Sequence, residues 1–342
     1  MKPFRDFLLL SVICLIAAEI TLRSLCAFGS LERSIPFVAF IKNTFPKGVD
    51  LELSSFIGPS DNPALEFELI PKAKRGHFTI NSMGFRGDEI SKVPAADTFR
   101  IAVVGDSETF CEGLSDEESF TQQLQGFLNQ GPEKKKVEVL NFGVPGYNSI
   151  QECAYLEERV LPLKPDLVVL RYVFNDPAIG NPHIIVDADA MSWSYGYLFF
   201  KFLFREVTPL TELWQKHQKN LAGFYLELHR SSYFESAKKR IMETGLALRD
   251  KKIPFFVLID PEMSGGSIHE DYPYEEIHQA LKTMEAEHLI VLDPLDALRN
   301  ACNSPEELWL TPHDAHKNAK GNQVMARFTS EALIKLIPKK DD

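Results

Sequence analysis

The stretch Ile101-Ala-Val-Val-Gly-Asp-Ser-Glu-Thr-Phe110 decides how the rest of the chain is read. Four apolar residues ended by a glycine have the pattern of a short buried strand. Gly105, Asp106 and Ser107 then turn the chain tightly toward a helix, with Ser107 at the mouth of the turn. A helix beginning there directs its free N–H groups and the positive end of its dipole at whatever lies above Ser107. Such a corner suits a nucleophile and the negative charge that develops beside it. By itself the pattern more often marks a plain N-cap serine. What favours the nucleophile lies far downstream, in Pro312-His-Asp-Ala-His-Lys-Asn-Ala-Lys-Gly321. There Asp314 and His316 stand two residues apart, giving the chain order serine, acid, histidine.

Composition bounds the remaining possibilities. The chain has 342 residues, 44% hydrophobic and 25% charged, which suits one α/β domain with additions. Its net charge of −11 argues against nucleic acid as a partner, since that ligand asks for a basic face. The five cysteines follow no metal-like spacing; a Cys111–Cys153 disulfide is one alternative outside the cytoplasm, subject to geometry.

At the amino end, Lys2 and Arg5 precede an apolar run from Phe7 to Ala18, with a second patch reaching Phe28. Phe7 to Phe28 is 22 residues, or roughly 33 Å of helix, enough to cross a bilayer. Glu19 and Arg23 are four apart and share one helical face. Residues 1–29 are therefore expected to be an uncleaved membrane anchor, with a cleaved signal sequence and a buried core helix as rival readings. The basic residues ahead of the run place the amino end inside and the remainder outside the membrane.

Residues 30–98 are rich in turn formers and read as a stalk and wrapping lobe. Within them, Asn81-Ser-Met-Gly-Phe-Arg-Gly87 reads as a tight loop presenting Arg86, structural before it is ligand-binding. Five continuous β-rich runs follow: Phe99–Val104, Val137–Asn141, Leu167–Leu170, Pro254–Ile259 and Leu289–Leu292. Runs without polar alternation belong to strands buried on both faces, and the helical stretches between them supply parallel crossovers. Residues 99–335 are thus expected to fold as a doubly wound, flavodoxin-like α/β/α domain on a five-stranded parallel sheet. Its ligands would bind beyond the carboxyl ends of the strands. Ser107, Gly143, Asn175 and the Asp314–His316 loop all follow such ends closely. One crossover is oversized: about 75 residues, at about 177–252, where about a dozen suffice. This helical insertion holds an aromatic cluster, Tyr195–Phe204, which reads as self-packing core, with an acyl groove or membrane-resting patch as alternatives.

Together these blocks resemble the SGNH hydrolase superfamily, the GDSL-type esterases and lipases. Gly105-Asp-Ser-Glu-Thr-Phe110 is similar to the block bearing the nucleophile. Asn141-Phe-Gly-Val-Pro-Gly-Tyr-Asn148 is similar to the second, with its glycine taken as Gly143, and Val173-Phe-Asn-Asp176 to the third, with Asn175. Asp314-Ala-His316 is similar to the last, and the anchor and the Asn81–Gly87 turn resemble membrane-bound bacterial members. Two positions depart from the pattern: Val173 replaces a glycine, which narrows the expected pocket, and Cys111 replaces a glycine near the first helix.

The chemistry follows without the family. A neutral serine needs His316 to accept its proton and return one to the leaving group, and Asp314 to set the imidazole tautomer. The backbone N–H groups of Ser107 and Gly143 and the Asn175 side-chain amide are the expected oxyanion donors, which the resemblance also implies. A side chain at Gly143 would block the approach of the substrate oxygen. Asp106 reads as structural. A metal site at His313, Asp314 and His316 lacks a supporting ligand elsewhere, and no cofactor is expected. The chain is therefore expected to be an extracytoplasmic serine esterase acting on O-acetyl groups of glycans or on short acyl esters or lipids. The alternatives are O-acyl transfer to a cell-surface polysaccharide and a catalytically silent glycan-binding module.

Overall fold

The computed structural model describes residues 16–21, 24, 56–75, 78–130, 134–178, 209–217 and 220–339. No helix among the described residues is long and apolar enough to cross a membrane. Most of the expected anchor, and the whole Tyr195–Phe204 cluster, lie outside the described residues.

Two short antiparallel pairs come first, β1 (Ile57–Pro59) with β2 (Phe67–Leu69) and β3 (Lys74–Arg75) with β4 (Phe78–Thr79). The main sheet follows: β5 (Thr98–Gly105), β6 (Lys136–Gly143), β7 (Leu167–Tyr172), β8 (Phe255–Ile259) and β9 (Ile290–Leu292). All its pairings are parallel, in the order β6-β5-β7-β8-β9. That order steps out one way from β5 to β6 and then back to β7 on the other side, which opens a crevice at the carboxyl ends. Gly105 pairs with Gly143 on one side and Arg171 on the other, so the three strands end level. A last small ladder joins β10 (Trp309–Thr311) to β11 (Asp314–Lys317).

The described helices are α1 (Ser107–Phe110), α2 (Phe120–Leu128), α3 (Ser149–Tyr155), α4 (Pro209–Lys216), α5 (Leu221–Leu228), α6 (Ser232–Asp250), α7 (Glu275–Lys282), α8 (Leu295–Ala301) and α9 (Ala319–Leu333). α2 packs on α9 and on β6, whereas α3 packs on α6 and β5, and α6 also reaches β8. Their starts follow local chemistry. Asn148 and Gln151 close a capping box on α3, and Ser119 caps α2. Pro162 sits in the 3-10 turn that ends the α3 segment before β7.

Two expectations need revision. Four of the five strands are buried along nearly their whole length, but β9, at one edge of the sheet, is not: Ile290 is 43% exposed. The 177–252 insertion is also shorter than its sequence suggests. α6 is itself the crossover helix into β8, so the added chain ends before Ser232.

Residues 56–87 are tied into the core by aromatic packing. Phe56 stacks on Phe110 at 5.4 Å, and Phe78 meets the same ring edge-on at 4.9 Å. Arg86 lies over both Phe78 and Phe110 and is only 2% exposed. Its guanidinium donates to the carbonyls of Phe110 at 2.6 Å, Cys111 at 2.7 Å and Leu114 at 2.7 Å, and pairs with Asp116 at 2.8 Å. The Asn81–Gly87 turn therefore presents an arginine inward, to the end of α1. Arg86→Ala would take its guanidinium donors from three carbonyls, so we expect a loss of about 3 kcal/mol or more in urea unfolding. Arg86→Lys should recover only part of it, because an ammonium lacks the planar fork.

Candidate active site

Asp106 builds the corner on which Ser107 stands. It caps α1 by accepting the Glu108 N–H at 3.0 Å, which frees the Ser107 side chain to face outward. α1 is only four residues long and ends at Cys111, whose φ of 61° and ψ of 47° are left-handed. The sequence-based argument from a helix dipole is weaker than expected here, since one turn sums few peptide dipoles. The left-handed geometry also explains why a glycine is the natural occupant of position 111. The Cys111 thiol adapts by pointing at the Glu108 carbonyl, 3.1 Å away. Cys111, Cys153 and Cys302 are all buried free thiols, so the Cys111–Cys153 disulfide does not form. Burial pushes the Cys153 thiol up to about 11.

Ser107, His316 and Asp314 form one hydrogen-bonded line. Ser107 Oγ lies 2.9 Å from His316 Nε2, and His316 Nδ1 lies 2.6 Å from Asp314 Oδ1. Asp314 Oδ1 also accepts the His316 backbone N–H at 3.1 Å, so the two-residue spacing closes a small ring that fixes the imidazole plane. Burial opposes charge on this ring. The Asp314 hydrogen bond and the negative charges of Glu108, Asp314 and Asp106 outweigh it and raise the His316 pKa to about 9. With 46% of the side chain open to solvent, water screens part of that attraction.

The oxyanion side differs from expectation at one position. The Gly143 N–H donates to Asn141 Oδ1 at 2.9 Å, so it is already committed within the protein. Gly143 is a glycine for another reason: a Cβ there would stand 2.2 Å from the Phe110 backbone nitrogen. Its role is to let β6 pass directly under α1. The residue missed from the sequence is Gly146, three positions on in the same block. It lies in the loop beyond β6, half-buried, with φ of 86°, and its N–H meets no protein acceptor among the described residues. The Pro145-Gly146 dipeptide, a turn signal, was the clue available.

Asn175 is held from two directions. Its Nδ2 donates to Asp106 Oδ2 at 3.3 Å, and its second amide proton has no acceptor among the described residues. The neighbouring Phe174 ring is boxed by Tyr225, His229, Tyr274 and His278, at centroid distances of 5.4 to 6.2 Å. Tyr225 belongs to α5, so the inserted chain packs immediately behind the Asn175 loop. Beneath the corner lie three buried carboxyl groups. Burial lifts Asp106 to about 6, against the hydrogen bond from Glu108 N–H. It also holds Glu152 and Asp176 well above the usual carboxylate range, each raised further by the charge of its neighbours. Asp176 spends one oxygen on the Val173 N–H at 2.8 Å, which shapes the turn that presents Asn175.

No family model matches the chain, and none of the curated proteins does. Among solved structures it is similar to a lipase/acylhydrolase from Enterococcus faecalis, at 16% identity and a TM-score of 0.44 over 70% of this chain and 97% of that one. It is likewise similar to an acetyl xylan esterase, at 16% and 0.44 over 69% and 100%. A third is an acetylxylan esterase from Geobacillus stearothermophilus, at 16% and 0.43 over 68% and 92%. These are distant likenesses, and the reading of the site rests on its own geometry.

The contact at Gly143 makes a direct prediction. Gly143→Ala should lower stability to urea by about 1–3 kcal/mol, because the added methyl displaces the α1 backbone. A midpoint equal to the parent's would mean that β6 and α1 are not in contact there.

Proposed function

We propose that the protein is a serine esterase of the SGNH type, cleaving carboxylic esters through an acyl-enzyme on Ser107. The observation that carries this reading is the unbroken line of hydrogen bonds from Ser107 through His316 to Asp314, at 2.9 and 2.6 Å. Ser107 Oγ attacks the ester carbonyl while His316 Nε2 takes its proton. Asp314 stabilises the imidazolium so formed. The oxyanion is met by the Ser107 and Gly146 backbone N–H groups and the second Asn175 amide proton. The imidazolium then protonates the leaving alcohol, and water repeats the sequence on the acyl-enzyme, releasing the acid and restoring the serine.

Charge around the site favours a neutral ester such as an O-acetyl group on a glycan. Arg171 and Lys317, beside Glu108, are buried and paired with it and with Asp260, which leaves them no valence for a phosphate or carboxylate on the substrate. The apolar run behind Lys2 and Arg5 supports an N-terminal membrane anchor, with the domain of residues 99–335 outside the cytoplasm.

Ser107→Ala should abolish turnover of a chromogenic acetate ester, by about 10,000-fold or more, with the fold intact by circular dichroism. Equal rates for the two proteins would remove the esterase reading. The pH profile carries a second prediction. His316 must be neutral to accept a proton, and its pKa in the free enzyme is raised, so kcat/KM should climb as the pH rises through about 9. A profile already level at pH 7 would mean that another group limits the reaction.

A further inference from the structure

We propose that Glu108 is a positioning residue for this reaction: it binds the chain at Lys317 to the serine corner and thereby seats the His316 imidazole over Ser107. The proposal rests on the serine-esterase reading above. Glu108 immediately follows the serine, and Lys317 immediately follows the histidine. The two are joined twice. The Lys317 backbone N–H donates to Glu108 Oε2 at 3.3 Å, and the Lys317 ammonium lies 3.5 Å from Glu108 Oε1.

A closed ring of four charges surrounds this link. Arg171, from β7, pairs with Glu108 at 3.3 Å and with Asp260, just beyond β8, at 2.5 Å. Asp260 in turn pairs with the Lys317 ammonium, which also donates to the Pro261 carbonyl at 3.1 Å. Arg171 additionally donates to the Glu108 carbonyl at 2.6 Å and to Asn322 Oδ1 at 3.1 Å. Asn322 Nδ2 completes the circuit by donating to the Lys317 carbonyl at 2.9 Å. Two cations and two anions leave the ring neutral, and all four side chains are less than 10% exposed.

Among the described residues, β11 pairs with the three-residue β10, in an irregular register, and along Asp314–Lys317, Lys317 is the buried residue. The placement of His316 is therefore set by the hydrogen bond to Asp314 and by where Lys317 is fastened. A tether of this kind matters to rate, because a misplacement of about 1 Å can cost about 100-fold. Glu108 also acts through its charge. The groups facing it are Arg171, Lys317, Asp260, Asp106, the Cys111 thiol and His316; those facing His316 are Asp314, Glu108 and Asp106. A negative charge at Glu108 favours the imidazolium that forms as the serine is deprotonated.

The test compares Glu108→Gln and Lys317→Met with the parent, reading ester kinetics and the imidazole titration of His316 by NMR. In Glu108→Gln the His316 midpoint should fall by about half a pH unit or more, and the acidic limb of kcat/KM should follow it downward. In Lys317→Met that midpoint should not fall, since the Glu108 side chain is still in place, while kcat should drop about tenfold or more with KM within about twofold. A core ion cluster without a positioning role would alter unfolding and leave both readouts unmoved; that result in folded variants overturns the proposal. Where Lys317→Met does not fold, the double variant Glu108→Gln/Lys317→Met replaces it, because it leaves Arg171 and Asp260 as a neutral pair. Parent-like kcat in the folded double variant likewise overturns the proposal. Equal rates in the parent and Ser107→Ala would instead remove the esterase reading, and the imidazole titration would still report on Glu108.

Discussion

A hydrogen bond of 2.9 Å joins side chains 209 residues apart, and the arrangement of the molecule follows from the need to make it. Such a contact cannot be sustained by loops alone, because the entropy of closing so long a segment opposes it. The parallel sheet removes the difficulty. β5, β6 and β7 end level with one another, so whatever follows each strand is delivered to the same edge. Ser107 follows the first of them, Gly146 the second and Asn175 the third. His316 arrives separately, on a short ladder outside the sheet, and needs a fastening of its own.

That fastening is ionic, and its burial has physical consequences. Charges taken out of water are tolerable only when paired and fully hydrogen-bonded. The ring of Glu108, Arg171, Asp260 and Lys317 meets the condition by being neutral and closed. Arg86 solves the same problem differently, by directing its guanidinium at the carbonyls of Phe110, Cys111 and Leu114, at and just beyond the end of α1. The short helix, the left-handed Cys111 and the inward arginine are parts of one local solution. A nucleophile on a tight corner requires the chain behind it to turn sharply, and the turn leaves polar backbone that something must satisfy.

The buried carboxyl groups beneath the corner contribute in a further way. Burial holds Glu152 and Asp176 well above the usual carboxylate range, and the charge of Asp106 raises both further, so these two add less negative charge to the floor of the site than its composition suggests. A developing oxyanion then meets donors above and weakened repulsion below. Asp106 links these layers, since one of its oxygens caps α1 and the other holds the Asn175 amide.

The sheet was legible in the sequence because both faces of a central parallel strand are apolar, which leaves unbroken runs such as Leu167–Leu170 and Pro254–Ile259. The edge strand β9 was read too generously, since its run looks the same although one side is open to water. Ser107 and Asn175 could be picked out because they follow strand ends of the sheet, and Asp314 and His316 because an acid and a histidine two residues apart stand out along the chain, although they lie on β11 outside the sheet. Gly143 was misassigned for the complementary reason. Whether an amide is free or taken depends on a partner's position, and Asn141 captures it only once β6 is laid against α1. Nor could the links from Glu108 to Lys317 and from Arg86 to the end of α1 be foreseen, because they join segments remote in sequence. The linear order of residues thus determined the strands and the reactive groups, through local propensity and hydrophobic pattern. The tertiary structure alone decided which donors remain free and which charges meet, because burial and pairing exist only after distant segments come together.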